Sequence, residues 1–98
     1  MRVIGAKVLE DCAKKHADVR KQLNAWREDV QRATWTKPVQ IKATYAAASI
    51  LPGGSRVVFN IKGNDYRIVV QVDYERGYVQ IRFADTHDEY DKIDAATI

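Results

Sequence analysis

The chain has 98 residues, 46% of them hydrophobic and 30% charged, with two prolines and five glycines. That describes one soluble domain over residues 1–98 with a single modest core, and excludes both a disordered and a collagen-like chain. The formal charge of +3 is unevenly spread: residues 1–45 carry ten Lys/Arg and five Asp/Glu, a net of +5, and residues 46–98 carry six and eight, a net of −2. A basic chain of pI near 9.1 is compatible with a nucleic-acid partner without requiring one. No apolar run approaches the roughly 18 residues of a membrane span. The opening Met1-Arg2-Val3-Ile4-Gly5 lacks the apolar stretch of a secretory signal, so the expected compartment is the cytoplasm. A single cysteine, Cys12, allows neither an internal disulfide nor a four-cysteine zinc site.

Arg2 to Ile4 is β-branched and apolar enough for a first strand. From Ala6 to His16 the residues Val8, Leu9, Cys12 and Ala13 recur at helical spacing. Asp18 reads as the N-cap of a second helix, whose apolar stripe is Val19, Leu23, Trp26, Val30 and Ala33. Arg20, Lys21, Arg27, Glu28, Asp29, Gln31 and Arg32 form its solvated face. Thr34-Trp35-Thr36-Lys37-Pro38 ends this helix, because the residue before a proline avoids the α region. Val39 to Ala48 has room for one short helix. Pro52-Gly53-Gly54-Ser55 is the strongest loop signal.

Beyond that loop the period changes from 3.6 to 2. Val57, Phe59 and Ile61 alternate with Arg56, Val58, Asn60 and Lys62; Gly63-Asn64 is a hairpin signal. Tyr66, Ile68, Val70, Val72 and Tyr74 then alternate with Arg67, Val69, Gln71 and Asp73. Arg76-Gly77 is a second turn signal, and Val79, Ile81 and Phe83 alternate with Gln80, Arg82 and Ala84. The pattern predicts an antiparallel meander of three strands. Turns at Gly63-Asn64 and Arg76-Gly77 set Ile61 opposite Tyr66, Phe59 opposite Ile68, Val72 opposite Ile81 and Val70 opposite Phe83. Apolar residues meet apolar residues throughout, and a one-residue slip breaks this in both hairpins.

The two N-terminal amphipathic helices cover the apolar face. The opposite face holds Arg56, Asn60, Lys62, Arg67, Gln71, Gln80 and Arg82, with Val58 and Val69 among them. Asp73 is its only acid. The expected register sets Arg82 opposite Gln71 and Thr86 opposite Arg67, so His87 emerges beside Arg67 and Asn60, and Tyr90 follows. Alternation alone fits a solvated sheet surface equally well. Clustered at one end of one face, however, His, Arg, Lys and Tyr can bind a phosphate, move a proton and stabilise a pentacovalent phosphorane, with no metal or other cofactor. They can also simply grip a nucleic-acid backbone. Cys12 and His16, four apart, are too few for a metal site, and packing is the better reading of Cys12. Trp26 reads as core; Trp35 reads as core or as a stacking platform. Asp85, Asp88, Glu89, Asp91 and Asp94 read as a solvated acidic helical face. Glycine-rich phosphate loops, a nucleophile elbow and zinc spacings are absent.

Arg56-Val-Val-Phe-Asn-Ile-Lys-Gly-Asn-Asp-Tyr-Arg-Ile-Val-Val and Ile81-Arg-Phe-Ala-Asp-Thr-His-Asp-Glu-Tyr-Asp-Lys-Ile resemble the HigB family of bacterial toxins, a RelE-like group of type II toxin–antitoxin systems. Met1-Arg-Val-Ile, Trp35-Thr-Lys-Pro and Ala48-Ser-Ile-Leu fit it too, so the resemblance covers nearly the whole chain. It implies an α+β, RelE-like fold: a small antiparallel sheet, the meander plus the N-terminal strand, packed on two N-terminal helices. It implies an mRNA interferase that cleaves message in the ribosomal A site. It also implies a HigA-like helix-turn-helix antitoxin as partner. The chemistry implied is metal-free: a 2′-OH attacks its own 3′-phosphate and the 5′-oxygen leaves. By the same resemblance Arg67 holds the scissile phosphate, His87 is acid or base, and Tyr90 orients RNA or stacks on a base. Lys62 and Arg82 stabilise charge. Arg56, Asn60, Gln71 and Gln80 are expected to contact RNA along the same face. Two rival readings stand beside this one: a toxin of the same fold acting on another target such as gyrase, and a non-catalytic RNA-binding module.

Overall fold

The computed structural model describes residues 1–98. Its framework is a five-stranded mixed sheet in the order β1-β5-β4-β3-β2, with the helices laid mainly on one face: an α+β fold, as the resemblance implies. The strands are β1 (Arg2–Ile4), β2 (Ser49–Ile50), β3 (Arg56–Ile61), β4 (Tyr66–Asp73) and β5 (Tyr78–Thr86). The helices are α1 (Ala6–Lys15), α2 (Arg20–Arg32), α3 (Pro38–Thr44) and the single turn α4 (His87–Tyr90). The first strand pairs parallel to β5, and β2, which the sequence pattern did not separate from its surroundings, pairs antiparallel to β3. Gly5 makes the turn from β1 into α1 at φ 84°. A Cβ there would stand 3.0 Å from the Ile81 carbonyl oxygen, so both the backbone angle and the close approach call for glycine. No helix is long and apolar enough to cross a membrane.

The helical stripes bury as their spacing predicts: Leu9, Cys12 and Ala13 from α1, and Leu23, Trp26 and Val30 from α2, with Val19 just ahead of it. They cover Phe59, Ile61, Tyr66, Ile68, Val70, Val72, Val79 and Ile81. Phe59 is the centre, with Trp26 edge-on at 5.3 Å, Tyr45 edge-on at 5.2 Å and Trp35 stacked at 6.3 Å between ring centroids. Trp35 is therefore core. Burial is the main reason the Cys12 thiol rises to about 11, and it keeps that group neutral. Asp18 is not an N-cap. A short 3₁₀ turn, Ala17–Val19, precedes α2, and the Asp18 carboxylate instead accepts from Lys62 Nζ at 2.8 Å and from the Tyr66 hydroxyl at 3.1 Å. A charge-assisted bond to an ammonium is the stronger alternative to a backbone N–H.

The β3–β4 hairpin has the expected register, Ile61 opposite Tyr66 and Phe59 opposite Ile68. The β4–β5 hairpin does not. Val72 faces Val79 and Val70 faces Ile81, a slip of two residues that preserves which side faces the core. The cause is the turn: Tyr74–Gly77 form a four-residue loop, closed by Asp73 Oδ1 accepting the Arg76 N–H at 2.8 Å and by Gly77 at φ 74°. A β-bulge follows, because Val70 faces Ile81 but Val69 faces Phe83, leaving Arg82 unmatched. The extra residue reverses every later side chain of β5. Phe83, expected on the core face, joins Val58 and Val69 on the opposite face, while Ala84 enters the main core. Gln80, not Arg82, faces Gln71, and Asp85, not Thr86, faces Arg67.

The second face is also less open than alternation suggested. The acidic C-terminal stretch is helical only over His87–Tyr90, and the remainder crosses the sheet as a strap. Ala95 is buried with Val58 and Val69, and Leu51, Phe83, Tyr90, Ile93 and Ile98 pack around them.

Candidate functional site

Arg67 sits mid-sheet on β4, between Asn60 of β3 and Asp85 of β5. Its Nη1 donates to Asn60 Oδ1 and Asn64 Oδ1, each at 2.5 Å, and its Cζ lies 5.5 Å from the centre of the Tyr90 ring. The two amides and the aromatic face fix the plane of the guanidinium while Nε and Nη2 carry no protein partner. An arginine held this way is a ready bidentate donor for a phosphate.

The turn α4 supplies the other two side chains. Thr86 caps it, its Oγ1 accepting the Glu89 N–H at 3.2 Å. The backbone N–H of His87 donates to the Asp65 carbonyl at 2.8 Å, tying α4 to the β3–β4 loop. One helical turn puts His87 and Tyr90 on the same side, 6.5 Å apart between ring centroids. Tyr90 also rests 6.3 Å from Phe83, so the β5 bulge that redirects Phe83 helps seat the ring over Arg67. The His87 side chain is 38% exposed, and its Nε2 lies 3.4 Å from Asp91.

Beside His87 opens a cleft of about 420 Å³ lined by Asp18, Asn64, Asp65, Tyr66, Thr86 and Asp88. Its Asp18 wall is neutralised by Lys62. Their hydrogen bond lowers the Asp18 pKa and raises that of Lys62. Desolvation first, and Asp18 second, push the Tyr66 phenol up to about 12.

Arg56, Gln71, Gln80 and Arg82 do not join this group. Arg56 Nε donates to Gln71 Oε1 at 2.9 Å, and its Nη1 reaches the main-chain oxygens of Ala95 at 3.0 Å and Ile98 at 2.7 Å. Arg82 Nε donates to the same Ile98 oxygen at 3.1 Å and its Nη1 to Gln80 Oε1 at 3.4 Å. The residues expected on one face thus divide. Arg67, Asn60, His87 and Tyr90 converge at one end, with Lys62 bonded to the Asp18 wall of the cleft, while Arg56 and Arg82, each held by a glutamine, grip the strap.

The model of the HigB toxin family, the RelE-like toxic component of a toxin–antitoxin system, matches residues 19–93. The chain belongs to this family. The mRNA interferase toxin HigB of Escherichia coli (strain K12) is 32% identical over 92 residues, which is 93% of this chain and 88% of that one. The mRNA interferase HigB of Escherichia coli O157:H7 and that of Shigella flexneri align with the same identity and coverage. The region matched to the HigB family contains Lys62, Arg67, His87 and Tyr90, and stops short of Ala95 and Ile98, whose oxygens Arg56 holds.

In this HigB-family chain two contributors escaped the sequence pattern. The hairpin pattern marks Asn64 only as a turn residue, yet its side chain holds Arg67. Asp85 belongs by sequence to the acidic stretch, yet its side chain is only 16% exposed. It pairs with Lys15 at 3.0 Å and His16 at 3.2 Å and accepts the Thr86 N–H at 2.8 Å. Burial works to raise the Asp85 pKa, but the bonds from Thr86 and Lys15 outweigh it, and the carboxyl is held below its ordinary value. The signal available in the sequence was its place at the end of a strand, directly before the capping Thr86.

Proposed function

We propose that this chain is the toxin of a type II toxin–antitoxin pair: a ribosome-dependent mRNA interferase that halts translation. A HigA-like helix-turn-helix antitoxin neutralises it. The observation that carries the reading is the seating of Arg67, clamped by Asn60 and Asn64 and faced by Tyr90, with His87 on the same turn, in a family whose relatives are named mRNA interferases.

In the reaction, the 2′-hydroxyl of one nucleotide loses its proton and forms a bond to its own 3′-phosphorus. The bond from phosphorus to the 5′-oxygen breaks, and that oxygen takes up a proton. Arg67 binds the non-bridging oxygens and strengthens its hold as charge builds on the phosphorane. His87 carries one of the two protons. Tyr90 keeps the guanidinium plane in place and offers its ring to a neighbouring base. Lys62 offsets the charge of Asp18 beside the site, and Arg82, held against the strap, takes no part in this step. One shallow site on a 98-residue chain holds flexible RNA poorly, and in-line attack depends on geometry worth many powers of ten in rate. The ribosome supplies that geometry by presenting an extended codon.

The test is cleavage by the purified protein of the same message, naked and on programmed ribosomes, with RNA ends mapped. Cleavage much faster on the ribosome, within codons, is expected. Equal rates on both substrates, or intact message on both, overturn the reading.

A further inference from the structure

The β4–β5 register sets an acid directly opposite the arginine of the candidate site: Arg67 of β4 faces Asp85 of β5. Directly opposed residues share a face of the sheet with Cβ atoms about 5 Å apart, and opposite charges so placed stabilise a sheet by pairing. These two do not pair. Arg67 Nη1 turns toward β3 and donates to Asn60 and Asn64. The Asp85 carboxylate turns toward the end of α1. Its Oδ2 accepts from Lys15 Nζ at 3.0 Å, and its Oδ1 lies 3.2 Å from His16 Nε2 and accepts the Thr86 N–H at 2.8 Å.

A carboxylate and a phosphate are the same kind of ligand for a guanidinium, anionic and bidentate, so Asp85 is a competitor for the phosphate built into the fold. Of its three donors, the Thr86 N–H belongs to the next residue and leaves Oδ2 without a partner. Lys15 and His16 come from outside β5, 70 and 69 positions away in the chain. Their own placement does not depend on the site: Leu9, Cys12 and Ala13 anchor α1 in the core, and the His16 ring stands edge-on to Tyr66 at 5.4 Å. At 16% exposure the Asp85 side chain has little water to take in place of these donors. A carboxylate stripped of its partners in such a position needs another cation, and Arg67 is the one across the strand pair.

Resting on the reading of Arg67 as the phosphate-binding residue, we infer that Lys15 and His16 are positioning residues for the reaction: they hold Asp85 away from Arg67 and so keep the guanidinium open to the scissile phosphate. They act through Asp85 and not by touching the RNA. Removing both releases Asp85 onto Arg67, fills the phosphate site from within and draws the guanidinium away from the Tyr90 ring, which now lies 5.5 Å from its Cζ. The loss is cancelled when the released side chain carries no charge.

The experiment uses the full chain as Lys15→Met/His16→Phe, which removes both donors and keeps their bulk, and the same protein with Asp85→Asn added. Single-turnover cleavage of ribosome-bound message is expected to fall about tenfold or more in the first, the worth of one hydrogen bond between charged groups, and to return in the second. Loss of a mere brace between α1 and β5 behaves the opposite way, because Asp85→Asn takes away what is left of that brace and restores nothing. NMR of the Arg67 side chain gives a readout independent of cleavage. In the first protein its Hδ and Hε resonances are expected to lose the ring shift from Tyr90, and in the second to regain it. Lys15→Met alone, at a side chain 62% exposed, is the milder variant with the same expected signs. An undiminished rate, a diminished rate that Asp85→Asn does not restore, or unmoved Arg67 resonances overturn the inference. Wild-type protein that leaves ribosome-bound message intact fails the reading beneath it instead, and the Arg67 resonances still decide whether Asp85 is held off.

Discussion

Replacing Arg67 by alanine separates chemistry from stability. The side chain makes two hydrogen bonds to Asn60 and Asn64 and one cation–π contact with Tyr90. Net values of about 0.5–1.5 kcal/mol for each hydrogen bond and about 0.5–1 kcal/mol for an exposed cation–π pair bound the loss. Asn60 and Asn64 are not buried, so water replaces the missing donor. The expected cost is about 1–2 kcal/mol. That is more than the roughly 0.5 kcal/mol of an ordinary surface change, and it lowers the melting temperature by about 4–8 °C per kcal/mol in a domain of this size. A residual stability of even about 3 kcal/mol leaves more than ~99% of molecules folded. Unfolding therefore cannot imitate the loss of a transition-state donor, which costs about 100- to 1,000-fold in rate. The assay is single-turnover cleavage of ribosome-bound message beside a thermal melt. A folded Arg67→Ala protein that cleaves within about tenfold of wild type would refute the placement of the phosphate on Arg67.

His87→Ala removes a half-exposed ring whose only side-chain ion partner is Asp91, so it is expected to melt near wild type while losing about 100- to 10,000-fold in cleavage rate, read in the same assay. Phe59→Ala empties the centre of the aromatic cluster and is expected to cost roughly 3–5 kcal/mol by denaturant titration, with loss of activity through unfolding. Asp18 and Asp85 both have carboxyls held below their ordinary range, Asp18 chiefly by Lys62 and Asp85 by Thr86 and Lys15 against its burial. The stability they contribute is complete above the unfolded carboxylate pKa and is lost as pH falls through the folded one. Melting curves from pH 6 down to about 3 should therefore fall less steeply for Asp18→Asn/Asp85→Asn than for wild type, and parallel curves would contradict the pairing.

The elements that local physics governs were legible in the chain. The stripe Val19, Leu23, Trp26, Val30 specifies which side of α2 is buried, since helical spacing and a single apolar core leave no other choice. The β3–β4 register followed from Gly63 and from strict alternation on both sides of it. Arg67, His87 and Tyr90 lie together at one end of the sheet, although 23 positions separate the arginine from the tyrosine.

The tertiary structure decided what alternation is blind to. A slip of two residues in β4–β5 keeps every apolar side chain on its side, so the pattern cannot distinguish it from the true register. The Asp73 side chain and Gly77, by closing a four-residue turn, choose between them. The bulge at Arg82 is likewise invisible along the strand, because Phe83 gains by turning only if something covers the far face. That cover is the strap, whose Ile93, Ala95 and Ile98 are too few to signal burial in an acidic stretch and become apolar cover only when Val58 and Val69 lie beneath them. Which arginines stand free and which are already occupied follows from the same packing. A sequence lists donors, and the partner each one finds depends on which distant segments the burial of apolar area brings within about 3 Å.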